Sequence, residues 1–353
     1  MFFRSGFELD FRDYQPASEL IVPVTQNVRP KFPVIDAHIH LGAKYPGEAF
    51  YNRYRIGSMV SLMREAGIYH AVDLELFSED CFYKAVLHAG KHLDFFSFCM
   101  PADLRDFESP NFERRIIHSF DRMASACRTC GIKIWKDIGL QLKRKNGRFA
   151  SLLDPEFEVI WDYARQNNLP VVIHVADPPA FFKKVNYRNE RLEELLRYPM
   201  WSYYGKGFPA YSELIRQFDC LVGRNPGVTF IAAHLVSAAS NLDLVGRMME
   251  QHPNMYADIA AVLPEIGRQP RCFRRLAKRF PERILFGTDY FGGDSMYYEP
   301  YFRFLGTEDE YFAYRSGDDC SQGRWRIYGA GLSERILRKI YAENAKRIFL
   351  PDR

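Results

Sequence analysis

His38 and His40 stand one residue apart in the stretch VIDAHIHLG, just behind Asp36. In an extended strand a spacing of two places both imidazoles on one face. Single polar residues interrupt three later apolar runs: His174 in PVVIHVA, His234 in VTFIAAHL and Asp289 in RILFGTDY. Each alone has an ordinary explanation. A histidine in an apolar run is commonly a hydrogen-bonded core residue, and Asp289 can form a turn after Gly287. Together they resist that explanation, because each buried polar group without a partner costs a few kcal/mol. A divalent metal ion is one partner for all of them. Imidazole and carboxylate donors suit zinc, and manganese and iron share these ligand types. GIKIWKD adds Lys133 and Lys136, whose ordinary roles are snorkelling or ion pairing.

These residues act together only if the fold brings them to one place. From Pro33 onward, short runs rich in Val, Ile and Phe alternate with longer helical segments. The expected strands are 33–40, 68–76, 94–102, 131–137, 170–176, 228–235, 254–260 and 283–290. Between them, SMVSLMREAG stops at Gly67, and DPEFEVIWDYARQNN starts with an Asp154 cap and Pro155 at the first helical position. SERILRKIYAENAKRIF closes the chain behind a Ser333 cap. Eight strands, each followed by a helix, predict a (β/α)8 TIM barrel over residues 33–350, preceded by an irregular arm, 1–32, broken by Pro16, Pro23 and Pro30. A doubly wound open sheet is the structural alternative. In a barrel the active site sits at the C-terminal ends of the strands. Four of the nine histidines lie at such ends, with Asp258 closing strand seven and Asp289 closing strand eight.

The set His38-x-His40, His174, His234 and Asp289, on strands one, five, six and eight, resembles the amidohydrolase superfamily. Within it the chain resembles the amidohydrolase-related branch that includes aminocarboxymuconate-semialdehyde decarboxylase. IDAHIH, AAHL, ILFGTD and the closing YAENAKRIF carry the resemblance. It implies that His38, His40, His174 and Asp289 bind one divalent metal, Zn2+ foremost, with Mn2+ or Fe2+ as alternatives. It implies a catalytic or second-metal role for His234. Some members place a carboxylated lysine at the end of strand four, and here Lys136 or Lys133 would supply it. Without a bulge, alternation lets at most one of the two enter the barrel; a snorkelling or ion-paired lysine is the ordinary reading of either, so a mononuclear site is expected. The implied chemistry is a metal-activated water with its pKa lowered toward ~7. Asp289 would accept its proton and His234 would hydrogen-bond the substrate carbonyl. Asp36, read as sharing the face of His38, would orient a ligand or pair with Lys133.

Two long connections, 177–210 after strand five and 291–329 after strand eight, are expected to build the substrate walls. The first mixes Lys183, Lys184, Arg188, Arg191 and Lys206 with Phe181, Phe182, Tyr187, Trp201, Tyr203 and Tyr204. Arg188, Lys206 and Trp201 are the candidate contacts to a planar, anionic substrate. NERLEELLRYP, with Arg191, reads as a solvated helix face with i,i+4 pairs. The expected function is hydrolysis of a small carboxylate-bearing lactone, ester or amide. The alternative is nonoxidative decarboxylation or hydration of an aromatic or muconate-like acid, because DAHIH does not separate the two. A barrel that only binds its ligand predicts broken ligand positions, and none of the five is missing.

Composition narrows the rest. With 48 basic and 44 acidic residues, the net charge of +4 is too weak and dispersed for nucleic-acid binding. No apolar stretch reaches a membrane span, and the opening residues lack the pattern of a signal peptide, so a cytoplasmic protein is expected. Seven scattered cysteines argue against a disulfide framework. Cys127-x-x-Cys130 reads as a structural pair rather than a redox motif. The resemblance leaves a homodimer open.

Overall fold

The computed structural model describes residues 17–41, 43–45, 48–49, 55–75, 78–290, 297–315 and 322–351. Eight parallel strands occupy the apolar runs: β1 (Val34–Ile39), β2 (Ile68–Leu74), β3 (Phe96–Pro101), β4 (Thr129–Ile134), β5 (Val171–Ile173), β6 (Phe230–Ala232), β7 (Met255–Asp258) and β8 (Ile284–Leu285). They are hydrogen-bonded in chain order. A parallel bridge from Ile39 to Tyr290 joins the last strand to the first. Ala37 N donates to Phe286 O and His40 N to Tyr290 O across the same seam, both at 2.9 Å. This closure makes a (β/α)8 barrel and excludes the open sheet.

Helices cover the outside because each buries one apolar stripe. In Phe112–Ala126, Ile116, Phe120 and Met123 recur at helical spacing and are buried against the sheet. Ser78 and Asn241 cap their helices by accepting from Cys81 N and Leu244 N. The closing helical run, Glu334–Phe349, passes through a π-turn at Lys339–Glu343. A smaller apolar cluster takes residues from seven strands, among them Val72, Cys99, Val172 and Leu285, as the filled interior of a barrel requires.

Several expectations change in detail. Strands five, six and eight are shorter than their apolar runs, because the chain leaves the ladder just before His174, His234 and Asp289. Asp154 makes no cap bond to its helix. Its carboxylate turns back to Ser151 N and to Arg144. Ser333 likewise makes no side-chain cap bond. Cys127 ends a helix, whereas Cys130 lies in β4 with its Sγ 3.8 Å from that of Cys99. Burial pushes the Cys127 thiol up to about 11 and the Cys130 thiol well above its ordinary value. Both stay protonated at neutral pH, which suits a structural role.

Residues 17–32 of the arm form no helix or strand; residues 1–16, and positions 291–296 and 316–321 of the last insertion, lie outside the described residues. Among the described residues, no helix is long and apolar enough to cross a membrane.

Candidate metal centre and its cavity

β1 does not alternate regularly. Asp36 pairs with Ala71 of β2 and Ile39 with Asp73, so three steps along β1 match two along its neighbour. This bulge changes the phase of the strand. It corrects the expectation that Asp36 shares the face of His38 or pairs with Lys133. Instead, Asp36 accepts from Thr288 Oγ1 (2.6 Å), Tyr298 OH (3.0 Å), Thr288 N (3.1 Å) and His38 N (3.2 Å). It ties β1 to the segment after β8.

Beyond the bulge the two histidines are held alike. His38 Nδ1 lies 2.8 Å from Asp258 Oδ2, and His40 Nδ1 lies 2.7 Å from Leu74 O. Both partners accept, so each Nδ1 carries the proton and each Nε2 presents a lone pair. His40 Nε2 is 3.0 Å from Asp289 Oδ1, and His38 Nε2 is 3.7 Å from the same oxygen. His38 Nε2 is buried and, among the described residues, has no hydrogen-bond partner. An orphaned lone pair beside a second lone pair and a carboxylate is the pattern a cation completes. Ligand atoms of His38, His40 and Asp289 all lie within 4.8 Å of one another. Protonation suits ligation too. Burial lowers the pKa of both imidazoles, with the Lys133 charge also lowering His38, so the rings are neutral. Burial works to raise the Asp289 carboxyl, but its histidine neighbours, His40 foremost, outweigh it and hold the group well below its ordinary range.

Gly287 lets β8 come this close. A Cβ there would stand 2.9 Å from that of His38 and 3.4 Å from that of Asp258. Asp289 follows with φ at +63°, which turns its carboxylate onto the histidines.

His174 and His234 line the same cavity with ring centroids 4.5 Å apart, but His174, the expected fourth ligand, is not part of the close group formed by His38, His40 and Asp289. His174 Nε2 meets Ala176 O at 3.0 Å, so Nδ1 is the nitrogen it can offer a metal. Burial and the His234 charge lower its pKa to about 3. His234 Nδ1 meets Ala260 O at 2.8 Å, so its Nε2 is an acceptor in the neutral ring and a donor only in the imidazolium. His234 also opens a run of four residues with positive φ, through Leu235, Val236 and Ser237. Left-handed backbone costs roughly 1–2 kcal/mol per residue outside glycine, and such strain persists only where the surroundings enforce it. Ser237 Oγ donates to Ala176 O, and Tyr211 OH donates to Ser237 O.

A cavity of about 650 Å³ opens above these groups. Its lining includes His40, Lys133, His174, His234 and Asp289, with Trp135, Phe181, Tyr198, Trp201 and Tyr203. Phe181, Trp201 and Tyr198 form a stacked wall with ring separations of 6.0 and 4.3 Å. Both lysines of GIKIWKD line the cavity, which corrects the expectation that only one can. β4 ends at Ile134, so Lys136 lies past the strand and escapes its alternation. Lys136 Nζ pairs with Asp177 at 2.5 Å, and Tyr203 OH donates to the same carboxylate at 2.6 Å. Lys133 Nζ is buried and has no hydrogen-bond partner among the described residues, and burial lowers its pKa to about 8.

The substrate-contact candidates are not all brought together. Trp201 lines the cavity. Arg188 and Lys206 are exposed and outside the lining, Arg188 lying over the ring of the exposed Tyr187 and Lys206 reaching Pro199 O. Arg191 reverses its expected place. It is 1% exposed, lines the cavity, and pairs with Glu194 at 2.8 Å and with Glu265. Asp177 and the role of Asp258 were missed. Asp258 did have a signal, since it ends a strand in the same way as the histidines.

Fold and site together define a barrel enzyme with a histidine–carboxylate group that can bind a metal. The family model described as amidohydrolase matches residues 35–350, and the chain belongs to that family. Among solved structures, it is similar to a 2,6-dihydroxybenzoate decarboxylase complexed with 2,6-dihydroxybenzoate (TM-score 0.58, 12% identity, covering 90% of this chain and 99% of that one). It is also similar to a TIM-barrel protein from Bordetella bronchiseptica (0.56, 15% identity, 90% and 98% covered) and to a 4-oxalomesaconate hydratase from Rhodopseudomonas palustris (0.53, 14%, 90% and 95%). At these identities the likeness concerns the fold. Among curated proteins, none matches this chain.

Proposed function

We propose that this protein is a metal-dependent hydrolase that adds water to a lactone, ester or amide of a small carboxylate-bearing molecule. The observation that carries the reading is the convergence of His38 Nε2, His40 Nε2 and the ionised Asp289 at the cavity floor, with both Nδ1 atoms anchored behind. His38, His40, His174 through Nδ1, and Asp289 would hold one divalent ion, with Zn2+ the best match to these donors. When bound, such an ion polarises a carbonyl and makes water acidic.

The chain's own groups do the rest. Asp289, ionised and partly open to the cavity, accepts a proton from the attacking water and returns it to the leaving group. His234 hydrogen-bonds, through Nε2, the substrate oxygen that gains charge. The stacked wall of Phe181, Trp201 and Tyr198 holds a flat substrate and keeps water off it. The cavity lining also carries the guanidinium groups of Arg197 and Arg315, whose charge and fork geometry suit a carboxylate-bearing substrate. The same aromatic wall favours the second reading, decarboxylation or hydration of an aromatic or muconate-like acid.

Metal analysis of the purified protein, followed by incubation with lactones, amides and aromatic acids in 18O-labelled water, tests both. The expected outcome is one bound divalent ion and label incorporated without carbon dioxide. Release of carbon dioxide, or label added to the acid with no lactone, ester or amide bond cleaved, replaces the first reading with the second. Absence of bound metal, with turnover unchanged by chelation, removes both.

A further inference from the structure

Asp258 ends β7 beside the site and is 1% exposed. Both of its oxygens are engaged. Oδ2 faces His38 Nδ1 at 2.8 Å, while Oδ1 accepts from His234 N at 2.9 Å and from Ala260 N at 3.1 Å. We propose that Asp258 is a positioning residue that aims His38 Nε2 at the metal site and pins His234 at the head of its left-handed turn. The inference rests on the metal-site reading above, and it joins a candidate ligand to a candidate catalytic histidine through one carboxylate.

The donor count requires an acid here. Three N–H groups point at Asp258, two from backbone and one from a ring. A carboxylate answers all three, because it only accepts. An asparagine has a single acceptor oxygen. With that oxygen on the two backbone groups, its Nδ2–H points at His38 Nδ1. The ring must then move its own proton to Nε2, which removes the lone pair a metal needs. The side chain is also placed badly for ligation itself. Ligand atoms of His38, His234 and Asp258 do lie within 4.8 Å of one another. Yet His38 reaches Asp258 through Nδ1, which leaves Nε2 as the nitrogen it has to give. A ligating histidine backed by a carboxylate is a recurrent arrangement, and loss of such a backing group typically weakens metal affinity by ~10–100-fold.

The pin on His234 is separate. The four residues from His234 to Ser237 all have positive φ, between +51° and +62°. The exit of this run is tied by Ser237 and Tyr211, whereas its entry is tied by Asp258 Oδ1 on His234 N. Asparagine keeps this second bond, so Asp258→Asn isolates the effect on His38.

The test compares the full-length wild type with Asp258→Asn. Histidine 15N spectra of the metal-free proteins read the tautomer of His38, assigned by its loss in His38→Gln. Zn2+ titration against a competing chelator reads affinity, and a thermal melt reads folding. The expected result is Nδ1–H in the wild type, Nε2–H in Asp258→Asn, and a ~10–100-fold loss of Zn2+ affinity with a folded protein. An unchanged tautomer, with affinity within about threefold of wild type, overturns the proposal. A wild type that binds no Zn2+ removes the metal reading, and the tautomer then decides the role of Asp258 alone. Should Asp258→Asn not fold, Asp258→Ser keeps a short oxygen near the backbone groups but offers His38 no carboxylate. Loss of the fixed Nδ1–H state in that variant supports the proposal, and its retention overturns it.

Discussion

At position 287 the site has room for a hydrogen atom and little else. A methyl group there meets the Cβ of His38 at 2.9 Å, and neither strand can yield without moving a candidate ligand. Gly287→Ala is expected to cost about 1–3 kcal/mol of stability through overpacking. It should also weaken Zn2+ binding, read by the same chelator competition; unchanged affinity would show that β1 and β8 can separate without disturbing His38. His234 is tested in the opposite direction. Asparagine tolerates left-handed backbone better than most residues and can place an amide N–H toward Ala260 O. His234→Asn should therefore keep the turn and the bound metal while lowering kcat by ~10² or more, because the donor to the substrate oxygen is gone. Full turnover in that variant would make His234 a purely structural residue.

The helix Leu192–Arg197, in the insertion after β5, is clasped by ion pairs to two other parts of the barrel top. Arg191 reaches Glu265 beyond β7 and also holds Glu194; Glu190 meets Arg268 at 3.1 Å, and Glu193 meets Arg324 at 2.8 Å. Only the Arg191 pairs are deeply buried. Arg191→Met should cost about 3–5 kcal/mol in chemical denaturation, because two carboxylates lose their buried partner. Amide exchange should rise first in residues 190–203, and a uniform rise across the barrel would contradict a local clasp. This arginine also marks the limit of what the sequence makes legible. NERLEELLRYP has the charge spacing of a solvated helix, and periodicity cannot tell an i,i+3 pair in water from one under a lid. The apolar runs, by contrast, locate all eight strands, and His40, His174, His234 and Asp289 at their ends line one cavity. The expected face of Asp36 and the exclusion of one of the two lysines from the barrel fail for one reason. Both assignments assumed unbroken alternation, but β1 bulges after Asp36 and β4 stops before Lys136. Neither a bulge nor a strand end leaves a mark in residue types alone. Arg188 and Lys206 drew attention as cations among aromatics, yet only the folded path of the insertion decides which cations face the cavity.

The barrel as a whole carries buried ionisable groups that link its stability to pH, and His70 offers the cleanest test away from the candidate ligands. It sits in β2, 6% exposed, with Nε2 3.0 Å from Ser97 Oγ. Burial, helped by the Arg128 charge, lowers its pKa from 6.5 to about 4. The folded chain therefore holds this ring neutral where the unfolded chain protonates it. Its contribution is complete above pH 6.5 and is lost as pH falls from 6.5 toward 4, by about 3 kcal/mol in all. Asp36 acts in the opposite sense. Burial pushes its carboxyl up to about 7, so between pH 4 and 7 the folded state keeps a proton that the unfolded state releases, and stability falls as pH rises through that window. The total curve mixes the two, so the informative quantity is the difference between wild type and His70→Gln. Glutamine can keep a hydrogen bond to Ser97 and does not titrate. In denaturant unfolding at several pH values, the variant should lose less stability than wild type between pH 6.5 and 4, and the gap should stop changing above pH 6.5. A constant gap across the whole range would mean that His70 is not held neutral by the fold.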